Sequence, residues 1–165
     1  MSRPRTIPDT TIYAAILRLI AEGGEKAVAF STVSRATGLA APSLVQRYGS
    51  LPAMVHVALL GEWDRLDHMA AAAIANTLTA PKGALALLKA LSPAPSPALL
   101  AASLRDAKLR DRASHWRAQA IAALTARQGD AEQAAMLFAA WIGLGSWEGF
   151  GDKPFKLKDL VKLLD

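Results

Sequence analysis

Apolar residues recur at helical spacing along most of the chain. Ile12, Ile16, Leu19 and Ile20 form one stripe. The stripe predicts a first helix entered at Pro8, capped by Asp9 or Thr10 and ended by Gly23-Gly24. Phe30, Val33, Ala36 and Thr37 form the inward side of a short second helix, with Ser31, Thr32, Ser34 and Arg35 on its outer side. Gly38 then supplies a tight turn, with Leu39 behind it. A third short helix starts near Ala41, with Pro42 in the first turn, where a missing N–H costs nothing. Leu44 and Tyr48 lie four residues apart and face inward. That leaves Ala41, Pro42, Ser43, Val45, Gln46 and Arg47 outside.

The rest of the pattern is longer in period. Gly49-Ser50 breaks the third helix, and Ser50 and Pro52 suit the start of a fourth, from about Leu51 to Thr77. Met54, Val55, Ala58, Leu59, Glu62, Trp63 and Leu66 lie along it. Pro81 opens a further helix that ends near Leu91, and Ser92–Pro97 (SPAPSP) reads as a stiff connector. Pro97 to Gln128 reads as one helix or two. After the Gly129 turn, Asp130 to about Trp147 carries an apolar face of Ala134, Met136, Leu137, Ala140, Trp141 and Leu144. A short final helix falls within Asp152–Asp165, with Leu157, Leu160, Val161 and Leu164 inward. No internal repeat is visible.

Composition adds three points. Ala and Leu dominate and 52% of residues are hydrophobic, which implies an all-α fold with an ample core and apolar surface left for a partner subunit. The absence of cysteine excludes disulfides, thiol catalysis and cysteine-based zinc sites. The first residues carry no secretory pattern and no apolar stretch is long enough for a bilayer, so a cytoplasmic location and no membrane partner are expected.

Candidate chemistry is sparse outside the short helices. His56, His68 and His115 have no metal-ligand spacing, so no metal or cofactor is expected. No phosphate loop, nucleophile elbow or paired-acid motif appears, which argues against an enzyme. Trp63, Trp116 and Trp141 lie on different helices and read first as core. With His68, Asn76 and His115 as polar groups they are also candidate walls for a small apolar ligand. Lys153, Lys156, Lys158 and Lys162 read as a solvated face.

Two short helices around a glycine turn can present the second helix to the major groove of DNA. The net charge of +5 permits phosphate contacts, and before Gly49 Arg3, Arg5, Arg18, Lys26, Arg35 and Arg47 outnumber Asp9, Glu22 and Glu25. The stretch SRATGLAAPSLVQRYGSLPAM, residues 34–54, resembles the reading head of TetR-type transcriptional regulators. Gly38, Leu39, Ser43, Leu44, Tyr48, Ser50 and Met54 fall where that family places its turn glycine, core residues, hydroxyl, aromatic plug and next cap. The resemblance covers about Thr10 to Leu66. Val45 and Leu51 depart from it, standing where a tyrosine and a lysine usually serve phosphates.

The resemblance implies a helix-turn-helix domain over residues 1–50 and a helical regulatory and dimerisation domain over 51–165. It implies a ligand-responsive repressor that binds a palindromic double-stranded DNA operator as a homodimer and answers to an unidentified small-molecule effector. Ser31, Thr32 and Arg35 are the phosphate candidates on the second helix. Ala41, Pro42, Ser43 and Gln46 are the base-edge candidates on the third, with Arg47 on the backbone. Arg3 and Arg5 read as a disordered solubilising tail or, under the resemblance, as an arm in the minor groove or on phosphate. The two longest late helices would pair with their twins through Ala134, Ala135, Leu137, Phe138, Trp141, Ile142 and Gly145. The ligand candidates are Trp63, His68, Trp116 and Trp141. The departures at Val45 and Leu51 support one alternative, a TetR-like interaction protein with weak or lost operator binding.

Overall fold

The computed structural model describes residues 7–152 and 155–164. The expectations for Arg3, Arg5, Lys153 and the Leu164 side chain lie outside the described residues. Among those described the chain is all-α, with nine α-helices and one short 3-10 turn. No helix among them is long and apolar enough to cross a membrane. Met1–Asp64 and Arg65–Asp165 form two compact units, and the division falls inside one long helix.

In the first unit, α1 (Asp9–Gly23) buries Ile12, Ile16 and Ile20, one per turn on one face. Asp9 lies in its first turn, where a carboxylate complements the helix dipole. After the 3-10 turn Glu25–Ala27, α2 (Phe30–Thr37) and α3 (Ala41–Tyr48) each bury a single apolar residue, Val33 and Leu44. Gly38 joins them at φ +75°, a left-handed conformation that a Cβ would disfavour, and its N–H closes α2 on the Ser34 carbonyl at 2.8 Å. The Thr37 hydroxyl donates to the Val33 carbonyl at 2.8 Å and accepts the Leu39 N–H at 3.3 Å, so the turn is fastened on both sides. Ala36, expected inward, is exposed. In an eight-residue helix the inward side is set by Phe30, Val33 and Thr37, which leaves little room for a fourth residue.

The fourth helix, α4 (Leu51–Asn76), begins at Ser50, whose Oγ accepts the Ala53 N–H at 3.2 Å. In the first unit it buries Met54, Ala58, Leu59 and Trp63. Gly61 lets it close on α1: a Cβ there would lie 2.6 Å from the Tyr13 ring.

The second unit holds the end of α4, α5 (Pro81–Ala90), α6 (Pro97–Arg105), α7 (Ala107–Gln128), α8 (Ala131–Ser146) and α9 (Leu157–Leu164). Asp106 splits the Pro97–Gln128 run. Its backbone is extended, and its carboxylate accepts the Leu109 N–H at 3.0 Å to start α7. Gly129 turns α7 into α8, which Asp130 caps through the Gln133 N–H at 2.8 Å. Trp116, Phe138 and Trp141 pack together, with ring centroids 5.9–6.2 Å apart. Met136, expected on the inward face of α8, is 48% exposed, because that face is set by Ala134, Leu137, Phe138 and Trp141.

One cation is almost fully buried. Arg127 is 3% exposed and donates from Nη1 to the Ala123 carbonyl at 2.7 Å. Its Nη2 donates to the Ile74 and Thr77 carbonyls at 3.2 and 3.0 Å and to the Thr77 hydroxyl at 2.7 Å. These carbonyls close the C-terminal end of α4, where the helix dipole favours positive charge.

Candidate nucleic-acid interface

The outer side of the α2–α3 pair is a short, mostly uncharged surface. On α3, Pro42, Val45 and Gln46 are exposed, and Ala41 and Ser43 are half-buried. Leu44 is fully buried and fixes which side of the helix looks outward. On α2, Ser31 and Arg35 are exposed.

Two residues expected on phosphate are engaged within the protein. The Thr32 hydroxyl accepts the Ala29 N–H at 2.9 Å and lies 2.9 and 3.0 Å from the Ala29 and Ala27 carbonyls. It closes the start of α2, as a third-position side chain does when it reaches back to the residue before the helix. Arg47 places Nε 3.0 Å from Asp9 Oδ1 and donates from Nη1 to the Ile7 carbonyl at 2.8 Å. The Tyr48 hydroxyl donates to the same Asp9 carboxylate. Burial, then the Asp9 hydrogen bond and charge, push the Tyr48 phenol well above its usual range, so it stays a donor. Asp9 at the start of α1 thus braces the end of α3. In the sequence Asp9 signals a helix start, and no local spacing links it to a pair nearly forty residues later.

The ligand candidates separate. Trp63 is fully buried in the first unit, in keeping with a core role. His68 is exposed on α4 and, with His115, flanks Asp67. Burial raises the Asp67 carboxyl and the two imidazoles oppose that rise, while Arg112 bridges it at 3.1 Å. His68 therefore belongs to a polar cluster between α4 and α7. Trp116 and Trp141 come together in the aromatic trio, where Trp116 is core at 2% exposure. Trp141 also donates from Nε1 to Ser92 Oγ at 3.3 Å and borders a cleft of about 760 Å³. Leu88, Pro95, Leu144 and Leu157 are among the residues that complete its wall.

The expected dimer face is corrected too. Ala134, Leu137, Phe138 and Trp141 are buried inside the protomer, where α8 packs on α7. Ile142 is half-buried and Gly145 is exposed beside Ala94. A helix with two apolar sides gives no sequence signal for which side faces its own chain. The outward side of α8 carries Met136, Ala139 and Gly143, and that of α7 carries Ala118, Ala122 and Ala126.

No protein-family model matches the chain, and no curated protein matches it. Solved structures do. One is of a protein assigned as a transcriptional regulator in Pseudomonas aeruginosa PAO1 (TM-score 0.69, 20% identity, 97% of this chain and 89% of that one). Another is of SCO7518 from Streptomyces coelicolor A3(2), likewise assigned as a transcriptional regulator (TM-score 0.63, 21% identity, 95% and 96%). A third is of the multidrug binding protein EbrR in complex with proflavin (TM-score 0.56, 21% identity, 94% and 96%). The likeness runs over nearly the full length of each and is a likeness of fold.

Proposed function

We propose that this protein is a DNA-binding transcriptional regulator of TetR type, a ligand-responsive repressor that grips a palindromic operator as a two-fold dimer. The observation that carries the reading is the α2–α3 pair. Its glycine turn is fastened at both ends, its second helix is braced to α1, and short side chains are left on the outer face. A braced second helix of this kind enters the major groove while the first crosses the backbone. The transcriptional regulators of similar fold support the assignment. EbrR, solved with proflavin, supports a small-molecule effector. The Trp141 cleft is the proposed effector site, with no catalytic step.

Pairing of two protomers uses the outward sides of α7 and α8. Two reading heads then meet DNA about one helical turn, roughly 34 Å, apart. The effector acts by population shift: it favours a position of α4 that moves the heads off that spacing. Hydroxyl-radical footprinting of upstream DNA from the protein's own locus tests the arrangement. Two protected segments one turn apart are expected, and a single segment would defeat the dimeric reader.

Arg47 yields a separate prediction. With its guanidinium committed to Asp9 and Ile7, Arg47→Ala removes no phosphate contact. The log–log dependence of affinity on salt stays within a few tenths of the parent slope, whereas loss of a true phosphate contact shifts it by about 0.9. The partly exposed ion pair contributes no more than about 1 kcal/mol to the head. Anisotropy titrations at four salt concentrations read the slope. The same commitment of Arg47 favours the second reading, an interaction protein that has lost strong operator binding, and DNA affinity no better than for random duplex would select it.

A further inference from the structure

The one cation on α3 is engaged by groups of its own unit. That residue, Arg47, has Nε on Asp9 and Nη1 on the Ile7 carbonyl. An arginine reads guanine by presenting two N–H groups to O6 and N7, and this one has Nε and Nη1 engaged by Asp9 and Ile7. Arg35 lies on α2, the element that crosses the phosphate backbone in this geometry. What α3 presents instead is Val45, 43% exposed, with Gln46 beside it and Pro42 one turn earlier. Among the described residues of the first unit, Val45 is the one large hydrophobic side chain left exposed. An aliphatic side chain held outward in a braced helix suits a partner with a methyl group in a polar groove. The thymine 5-methyl is that group, and the glutamine amide next to it matches adenine N6 and N7.

Resting on the DNA-reader function above, we propose that the half-site is A·T at its core. Val45 and Pro42 read thymine methyls, Gln46 reads adenine, and no guanine-specific contact is made from α3. Val45 is thus a specificity-determining residue.

The test uses the full-length protein and a pool of random duplexes. Bound sequences are selected, and each thymine of the selected site is then replaced by uracil, which deletes only the 5-methyl. Enrichment of A·T pairs at the half-site core is expected, with about fourfold weaker binding at one or more uracil positions, the worth of one desolvated methyl. Val45→Ala should remove the uracil effect at that position, so that this variant binds the thymine and uracil duplexes equally well. Gln46→Ala should relax the preference at the adjacent adenine. A half-site centred on G·C, or a uracil series that is flat for the parent protein, would overturn the A·T assignment while leaving the DNA reader standing. A pool that yields no enriched sequence would overturn both.

Discussion

Replacing Arg127 with methionine is expected to destabilise the second unit by roughly 2–4 kcal/mol, although methionine fills much the same space. The arginine reaches three carbonyls and a hydroxyl from a nearly water-free position. Without it, the part-buried carbonyls at the end of α4 lose this donor. An unsatisfied buried acceptor costs about 1–3 kcal/mol, and more than one is created here. The lost cation also leaves the negative end of the α4 dipole uncompensated. Arg127→Lys should recover part of the loss, because it keeps the charge and gives up the planar fork that serves several acceptors at once. Urea unfolding followed by the fluorescence of Trp116 and Trp141 measures both variants. A methionine variant within about 0.5 kcal/mol of the parent would mean that water replaces the guanidinium at little cost.

Leu44→Ala is the second large effect, and it falls on the α2–α3 pair. Leu44 is fully buried and is the one buried side chain on α3. Cutting a core leucine to alanine costs about 2–5 kcal/mol through lost transfer energy and the cavity left behind. A short helix with a single buried anchor has no neighbouring contact to absorb that loss. The Asp9 brace holds only its far end. Operator affinity should fall to the level of random duplex, while the urea transition of the second unit keeps its midpoint. Operator binding within twofold of the parent would show that the turn and the brace suffice to place α3.

Much of this architecture is legible in the sequence because its punctuation is chemical. Gly38 and Gly129 mark turns that need positive φ, and Ser50 and Asp130 are side chains that can cap a helix. The one-per-turn stripe of α1 is equally plain. The site is less legible. Thr32 and Arg47 have the right residue types for phosphate, but each is bonded to groups within its own unit. Charge and a hydroxyl look the same in a sequence whether they face solvent or a distant carboxylate. Helix α8 fails in another way. Apolar residues occur on both of its sides, so periodicity identifies a helix without saying which side is core. Arg127 gives no warning at all, since a buried cation that serves helix carbonyls reads like any surface arginine near a C-terminus.

The central claim is that the braced α2–α3 pair reads duplex DNA. The most direct measurement is a fluorescence-anisotropy titration of the full-length protein with DNA from upstream of its own locus, set against random duplex of equal length at two salt concentrations. Binding to the upstream DNA at least about a thousandfold tighter is expected at both salts, since base contacts survive when counterion release is weakened. Equal affinity for the two duplexes at both salts would contradict it.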